Sequence, residues 1–158
     1  MDKAIGINNK GEHIEYSIKN GILSCSNQKL ISLEIPIGVK TVYCSYNSLT
    51  ELLLPEGVKE VYCRNNNITE LILPEGVKEI WCYNNILTEL ILPETVKEIW
   101  CYNNKLTELI IPETVKEIWC ENNSLTTLLL PKTVERVRCD REVKGLDNLI
   151  GNTNIKLI

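Results

Sequence analysis

The sequence predicts a mainly β solenoid, with a parallel sheet on one face, a short extended segment on the opposite wall and a β-hairpin capping the N-terminus. Three observations predict it. The seven cysteines fall at positions 25, 44, 63, 82, 101, 120 and 139, each nineteen residues after the last, and a fixed period of that length marks a stacked repeat. Around each cysteine, apolar and polar residues alternate with the period of a strand. The remaining columns hold nearly one residue type from line to line, as side-chain stripes along a solenoid do.

At the N-terminus His13, Ile14, Glu15, Tyr16, Ser17 and Ile18 alternate, and Asn20-Gly21 offers a tight turn into Ile22, Leu23, Ser24 and Cys25. This reads as a β-hairpin within a cap spanning residues 1–24, its second arm being the first repeat strand. Residues 25–138 form six repeats of nineteen. Between Val77 and Tyr83, Ile80 and Cys82 point inward while Glu79, Trp81 and Tyr83 point outward. Copies of that strand stacked at about 4.8 Å form a parallel sheet.

The chain must then leave the sheet. It does so at an asparagine column (Asn47, Asn66, Asn85, Asn104, Asn123, with Gln28 in the first line), where a buried amide can satisfy backbone groups of its own and neighbouring coils. Alternation resumes in Thr-Glu-Leu-Ile-Leu-Pro, so a second extended segment forms the opposite wall until proline redirects the chain. Gly38, Gly57 and Gly76 give way to Thr95, Thr114 and Thr133 in one column, which therefore does not demand a positive φ. Residues 139–158 form a C-terminal cap in which Ile155 and Leu157 are expected to enter the inner slots of a last, shorter coil.

Written as V-x-x-I-x-C-x-x-N-x-L-x-x-L-x-L-P, the unit resembles the leucine-rich repeat, with cysteine in an apolar slot and asparagine in the polar one. The resemblance covers about three quarters of the chain. The unit is also similar to the short repeats of secreted bacterial effectors of the YopM and IpaH type, and to repeats of some bacterial surface antigens and large viruses. It differs from the effector form in having a single Leu-Pro per repeat and one residue fewer. The resemblance implies a concave sheet face, binding of another protein there, and a microbial or viral role in host interaction.

Composition narrows the function classes. A chain of 158 residues accommodates one continuous core, and its apolar runs are far too short to cross a bilayer. The first residues contain no apolar secretion core, so the expected location is the cytoplasm of the producing cell or, for an effector, of a host cell. The net charge of −4 is concentrated between Cys44 and Trp119, where twelve Glu face five Lys and one Arg. Nucleic acid is not an expected partner.

Cysteines aligned along a stack do not converge on one point, so neither a metal site nor a disulfide framework is expected; they read as small apolar core residues. The ligase domains of IpaH-type effectors use a cysteine followed two residues later by an acid. At Cys139 the acid, Asp140, comes immediately after, and too little chain follows for such a domain. The one histidine, His13, has no repeat partner with which to make a Cys-His nucleophile, and no glycine pattern cradles phosphate. The expected protein is non-enzymatic and needs no cofactor.

The aromatic residues carry the functional signal. All but Tyr16 of the nine lie within two positions of a repeat cysteine. Tyr43, Tyr62, Trp81, Trp100 and Trp119 precede it on the outward side of the strand, and Tyr83 and Tyr102 follow it. Seven such rings, half-covered, offer on the order of 500–900 Å² of apolar surface. Glu60, Glu79, Glu98 and Glu117 run alongside, with Lys59, Lys78, Lys97 and Lys116 beyond them. A partner protein bearing apolar and basic groups suits this face; a carbohydrate partner, self-association, and simple reinforcement of the sheet by stacked rings are the alternatives. At Arg136 and Arg138 the acidic and aromatic columns turn basic, as if the C-terminal rim contacts something else. A separate aliphatic column, Leu53, Ile72, Ile91, Ile110 and Leu129, faces outward on the opposite wall and could pair two copies as a homodimer.

Overall fold

A computed structural model of the chain describes residues 3–146 and, for the backbone, 155–157. The chain begins with β1 (Lys3–Asn8) and β2 (His13–Ser17), which pair antiparallel, and β1 also pairs with β4 (Leu30–Glu34). The expected hairpin is therefore present, but its two arms are β1 and β2. The Asn20-Gly21 turn also forms, with φ of 52° and 76°, and Lys19 and Ile22 exchange both backbone hydrogen bonds across it. It leads into β3 (Ile22–Ser24), which joins the repeat sheet.

That sheet holds β5 (Thr41–Tyr43), β7 (Glu60–Tyr62), β9 (Glu79–Trp81), β10 (Glu98–Trp100), β11 (Glu117–Trp119), β12 (Arg136–Cys139) and β13 (Ile155–Leu157). With β3 it runs as eight parallel strands. The register is one repeat per strand, so Tyr62 faces Trp81, Trp81 faces Trp100 and Trp100 faces Trp119. At the C-terminal end Ile155 lies opposite Val137 and Leu157 opposite Cys139, as a further coil requires. The inner-slot placement of those two side chains lies outside the described residues.

On the opposite wall β4 pairs with β1, and beyond it the described residues form a strand ladder at β6 (Glu51–Leu53) and β8 (Glu70–Ile72). In later coils the same segment keeps the alternation, Leu90 and Leu109 buried and Ile91 and Ile110 exposed, without a strand ladder. Between the walls lies one core of Leu, Ile, Val and Cys columns, in which Leu49, Val58, Val61, Cys63 and Ile68 are fully buried and their repeats are buried. Each large aliphatic removed from water contributes roughly 1.5–3 kcal/mol, and repetition of one well-packed layer supplies the fold.

Polar groups at the bends are satisfied by the asparagine column. Asn85 Oδ1 accepts from the Ile68 N–H at 3.0 Å, and its Nδ2 donates to the carbonyls of Cys63 and Cys82 at 3.1 and 2.9 Å. Asn47, Asn66, Asn104 and Asn123 repeat the pattern. A second ladder runs beside it, with Asn84 donating to Asn65, Asn103 to Asn84 and Asn122 to Asn103. These residues hold φ near +55°, a left-handed conformation that asparagine tolerates better than other side chains.

The glycine-threonine column takes two forms. Gly38, Gly57 and Gly76 sit at φ of about +90°, as the third residue of a type II turn requires. Thr95 and Thr114 do without positive φ, and their hydroxyls donate to the carbonyls of Val77 and Val96, both at 2.8 Å. The turn is closed in either case, as the Val77 and Val96 N–H groups bonded to Pro74 and Pro93 show.

Candidate functional site

The candidate site is the outer face of the eight-stranded sheet. Strand alternation puts one ring per coil on it, and the one-repeat register aligns the rings. Tyr43 and Tyr62 stack with centroids 4.6 Å apart and planes 6° from parallel; Trp81, Trp100 and Trp119 stack in turn at 4.1 and 4.5 Å. Between these two stacks the Tyr62 and Trp81 rings meet edge to face at 5.0 Å. A shorter second column places Tyr83 against Tyr102 at 4.3 Å.

The stacking changes what the face presents. Ring faces lie against ring faces, so the three tryptophans and Tyr62 are half-buried and mainly their edges meet solvent. Tyr83 is only 8% exposed, enclosed by Trp100, Tyr102 and Arg64. The accessible aromatic surface is therefore smaller than ring count alone suggests. Tyr43 and Tyr46, at the N-terminal end where Ser26 and Ser45 replace the bulkier second column, are more open, and with Arg64 and Trp81 they border a depression of about 340 Å³.

Arginines end the Tyr83–Tyr102 column on its N-terminal side and the tryptophan stack on its C-terminal side. Arg64 lies within 5.3–5.7 Å of the Tyr46, Trp81 and Tyr83 rings and donates to the Tyr83 hydroxyl. Arg138 covers the last indole, 4.4 Å above Trp119, and pairs with Glu121 at 3.1 Å. Arg136 pairs with Glu117. The basic residues at the C-terminal rim thus make contacts within the columns: a guanidinium over the last indole face gains a cation–π contact where the aromatic column ends.

Of the glutamates, Glu60, Glu79 and Glu98 lie partly exposed along the ladder, whereas Glu117 is buried beneath its pairing arginine. Burial raises the Glu79 carboxyl above its usual range, the Tyr62 hydroxyl opposes the rise, and the Glu98 and Glu60 carboxylates add to it. Tyr62 is raised as well, by burial first and then by the Glu79 charge. The carboxylates and phenols of this face thus form one interacting electrostatic unit.

All seven cysteines are buried and free. Burial raises the Cys25 and Cys63 thiols to about 12. Cys139 rises to about 11 through burial first and then the Asp140 and Glu121 carboxylates. A thiol so placed carries almost no thiolate at neutral pH and is a poor nucleophile. Asp140 accepts from the Asn122 N–H at 2.9 Å, ending the second asparagine ladder. His13 is an exposed residue of β2, in the three-stranded sheet, and the cysteines are buried in the core. Among the described residues no group of three His, Cys, Asp or Glu is placed to hold a metal ion, and no helix is long and apolar enough to cross a membrane.

On the opposite wall Leu53, Ile72, Ile91, Ile110 and Leu129 are 65–77% exposed, so coil geometry does not turn them inward.

No family model matches the chain, and no curated protein matches it in sequence. Solved structures do match in shape. A Shigella effector leucine-rich-repeat domain aligns over 87% of this chain and 80% of its own, with 20% identity and a TM-score of 0.70. The functional domain of InlJ from Listeria monocytogenes, which includes a cysteine ladder, aligns over 79% of this chain with 25% identity and a TM-score of 0.70. YopM from Yersinia enterocolitica aligns over 79% with 17% identity and a TM-score of 0.57. The chain spans about a third of the length of these last two. It is a leucine-rich-repeat solenoid in fold, a repeat domain resembling those of the Shigella effector, InlJ and YopM, with an aromatic cluster on the surface of its parallel sheet.

Proposed function

We propose that the chain is a non-enzymatic protein-binding module whose partner docks on the aromatic and acidic face of the sheet. The observation that carries this reading is the register of Tyr43, Tyr62, Trp81, Trp100 and Trp119, one ring per coil, alongside the partly exposed Glu60, Glu79 and Glu98. Rigid rings offer contact area at little entropic cost. The carboxylates favour a segment bearing Lys or Arg, and steer its approach. Tyr102 belongs to the same surface, while Tyr83 and Glu117 support it from beneath.

The stacking geometry supports a protein over a carbohydrate. A sugar ring needs the flat face of an aromatic, and here the indole faces are occupied by one another and by Arg138. A peptide can use ring edges, backbone groups and charge. Likeness to a Shigella effector domain and to YopM supports a role in host interaction, and seven unpaired thiols suit a reducing compartment such as the cytoplasm of the producing or host cell. The exposed aliphatic wall is the other candidate surface, open to a second copy or to a different partner.

Affinity capture from host-cell lysates tests the main reading, comparing the parent with Trp81→Ala/Trp100→Ala/Trp119→Ala and with the charge-reversed Glu60→Lys/Glu98→Lys, which leaves the ladder in place. A protein recovered by the parent and lost from both variants is the expected result. Equal recovery by all three, with intact folding by circular dichroism, refutes the reading.

A further inference from the structure

The most exposed apolar surface lies on the wall opposite the ladder. Leu53, Ile72, Ile91, Ile110 and Leu129 form one ridge along the solenoid. At 65–77% exposure they present together roughly 600 Å² of aliphatic surface, the upper end of the largest patch on an ordinary monomer.

What borders the ridge selects its occupant. Two residues before the first four ridge positions stands an exposed carboxylate, Glu51, Glu70, Glu89 and Glu108, with Thr127 in that place before Leu129. Three residues after those four stands another, Glu56, Glu75, Glu94 and Glu113, whereas Leu129 is followed there by the exposed Lys132. None of these eight forms a salt bridge among the described residues. Depressions lie between successive ridge residues, and carboxylates from both columns border them. Ile72 and Ile91 flank one of about 220 Å³ with Glu70, Glu75 and Glu89; Ile110 and Leu129 flank another of about 360 Å³ with Glu108 and Glu113.

We propose that this wall is a second docking surface, occupied by a cationic amphipathic helix of another protein lying along the ridge with its Lys or Arg side chains against the flanking carboxylates. A second copy of the chain is disfavoured, because facing two such walls brings carboxylate columns against carboxylate columns. The ridge also falls short of the ~800 Å² per partner typical of a stable interface. An anionic membrane is repelled for the same electrostatic reason. A helix suits the spacing better than a strand. Coils repeat at about 4.8 Å, near the 5.4 Å pitch of an α-helix, whereas same-side residues of a strand recur at about 6.7 Å. The aliphatic stems of Lys and Arg fill inter-ridge depressions while their charges reach the carboxylates.

The test uses the whole chain and a fluorescent synthetic helical peptide of about four turns, with leucines at i, i+3, i+4 and i+7 and lysines on both flanks. Anisotropy titrations are run beside a peptide of the same composition in scrambled order and one with Glu in place of Lys. The expected result is saturable binding of the patterned cationic peptide alone. It is weakened on the order of tenfold by Ile72→Thr/Ile91→Thr/Ile110→Thr, and likewise by Glu70→Gln/Glu89→Gln/Glu108→Gln. Added salt weakens the parent more than the Gln variant, and Glu60→Lys/Glu98→Lys on the other face changes affinity less than about twofold. Equal binding of the scrambled or anionic peptide overturns the proposal, as does parent-like binding by the folded ridge variant. A concentration-dependent dimer abolished by the ridge substitutions overturns it in favour of a second copy.

Discussion

The Asn85 side chain serves three backbone groups that no water reaches, and it ties its own coil to the one before. Asn85→Ala leaves the Ile68 N–H unpaired and removes one of two bonds at each of the Cys63 and Cys82 carbonyls, which keep Asn66 and Asn104, and we expect a loss of about 2 kcal/mol in urea unfolding. The cysteines make a second prediction at this scale. Their thiols are raised in the folded chain, to about 12 for Cys25 and Cys63, so the folded state holds protons that the unfolded state releases. Stability is then fully present below the unfolded thiol value of about 8.5 and falls as pH rises above it, by up to about 1.4 kcal/mol per pH unit per thiol. Urea midpoints measured from pH 7.5 to 10.5 check the sign, and an Ellman assay should find no rapidly reacting thiol in the folded protein at pH 8 and all seven in urea. Both roles were legible in the sequence, because a polar residue or a small thiol recurring every nineteen positions in a buried column has few other physical uses. The left-handed backbone at Asn65, Asn84 and Asn103 was less legible, since two adjacent asparagines differ in role and only one of them faces the core.

Among the elements, turns and ladders separate what pattern reveals from what it hides. Gly38 sits at φ +91° with open space where a Cβ would stand, so Gly38→Ala isolates the backbone term and should cost about 1 kcal/mol by urea unfolding. Thr95→Gly in the equivalent turn loses instead the hydroxyl bond to Val77. Trp100 is covered on both faces by indoles; Trp100→Ala should lower stability by about 2–3 kcal/mol, read as a shifted urea midpoint. The repeat strands announced themselves through Ile-x-Cys alternation. Strand β1 did not, because its inward residues are Ala4, Gly6 and Asn8 while Ile5 and Ile7 point away from the core. Gly6 is small for a reason that only packing shows: a Cβ there would stand 2.8 Å from Leu30 and 3.0 Å from the Tyr16 ring.

For the molecule as a whole, the aromatic column could be placed outward from alternation alone, but its accessibility could not. Register makes the rings cover one another, with Arg64 packed beside Tyr83 and Arg138 over Trp119, so a residue that looks like an anchor in the sequence can be a support in the fold, as Tyr83 is. The same stacking gives the ladder a structural role and leaves its edges and carboxylates for recognition. Folding and binding therefore separate by substitution type: loss of an indole should disturb both, whereas reversal of Glu60 and Glu98 should disturb binding alone. The most direct measurement is isothermal titration of a captured partner against the parent and Glu60→Lys/Glu98→Lys, with urea midpoints measured in parallel. The account predicts matching midpoints and an affinity reduced at least about tenfold in the variant. Matching midpoints with unchanged affinity would contradict it, and would leave the aromatic face as architecture.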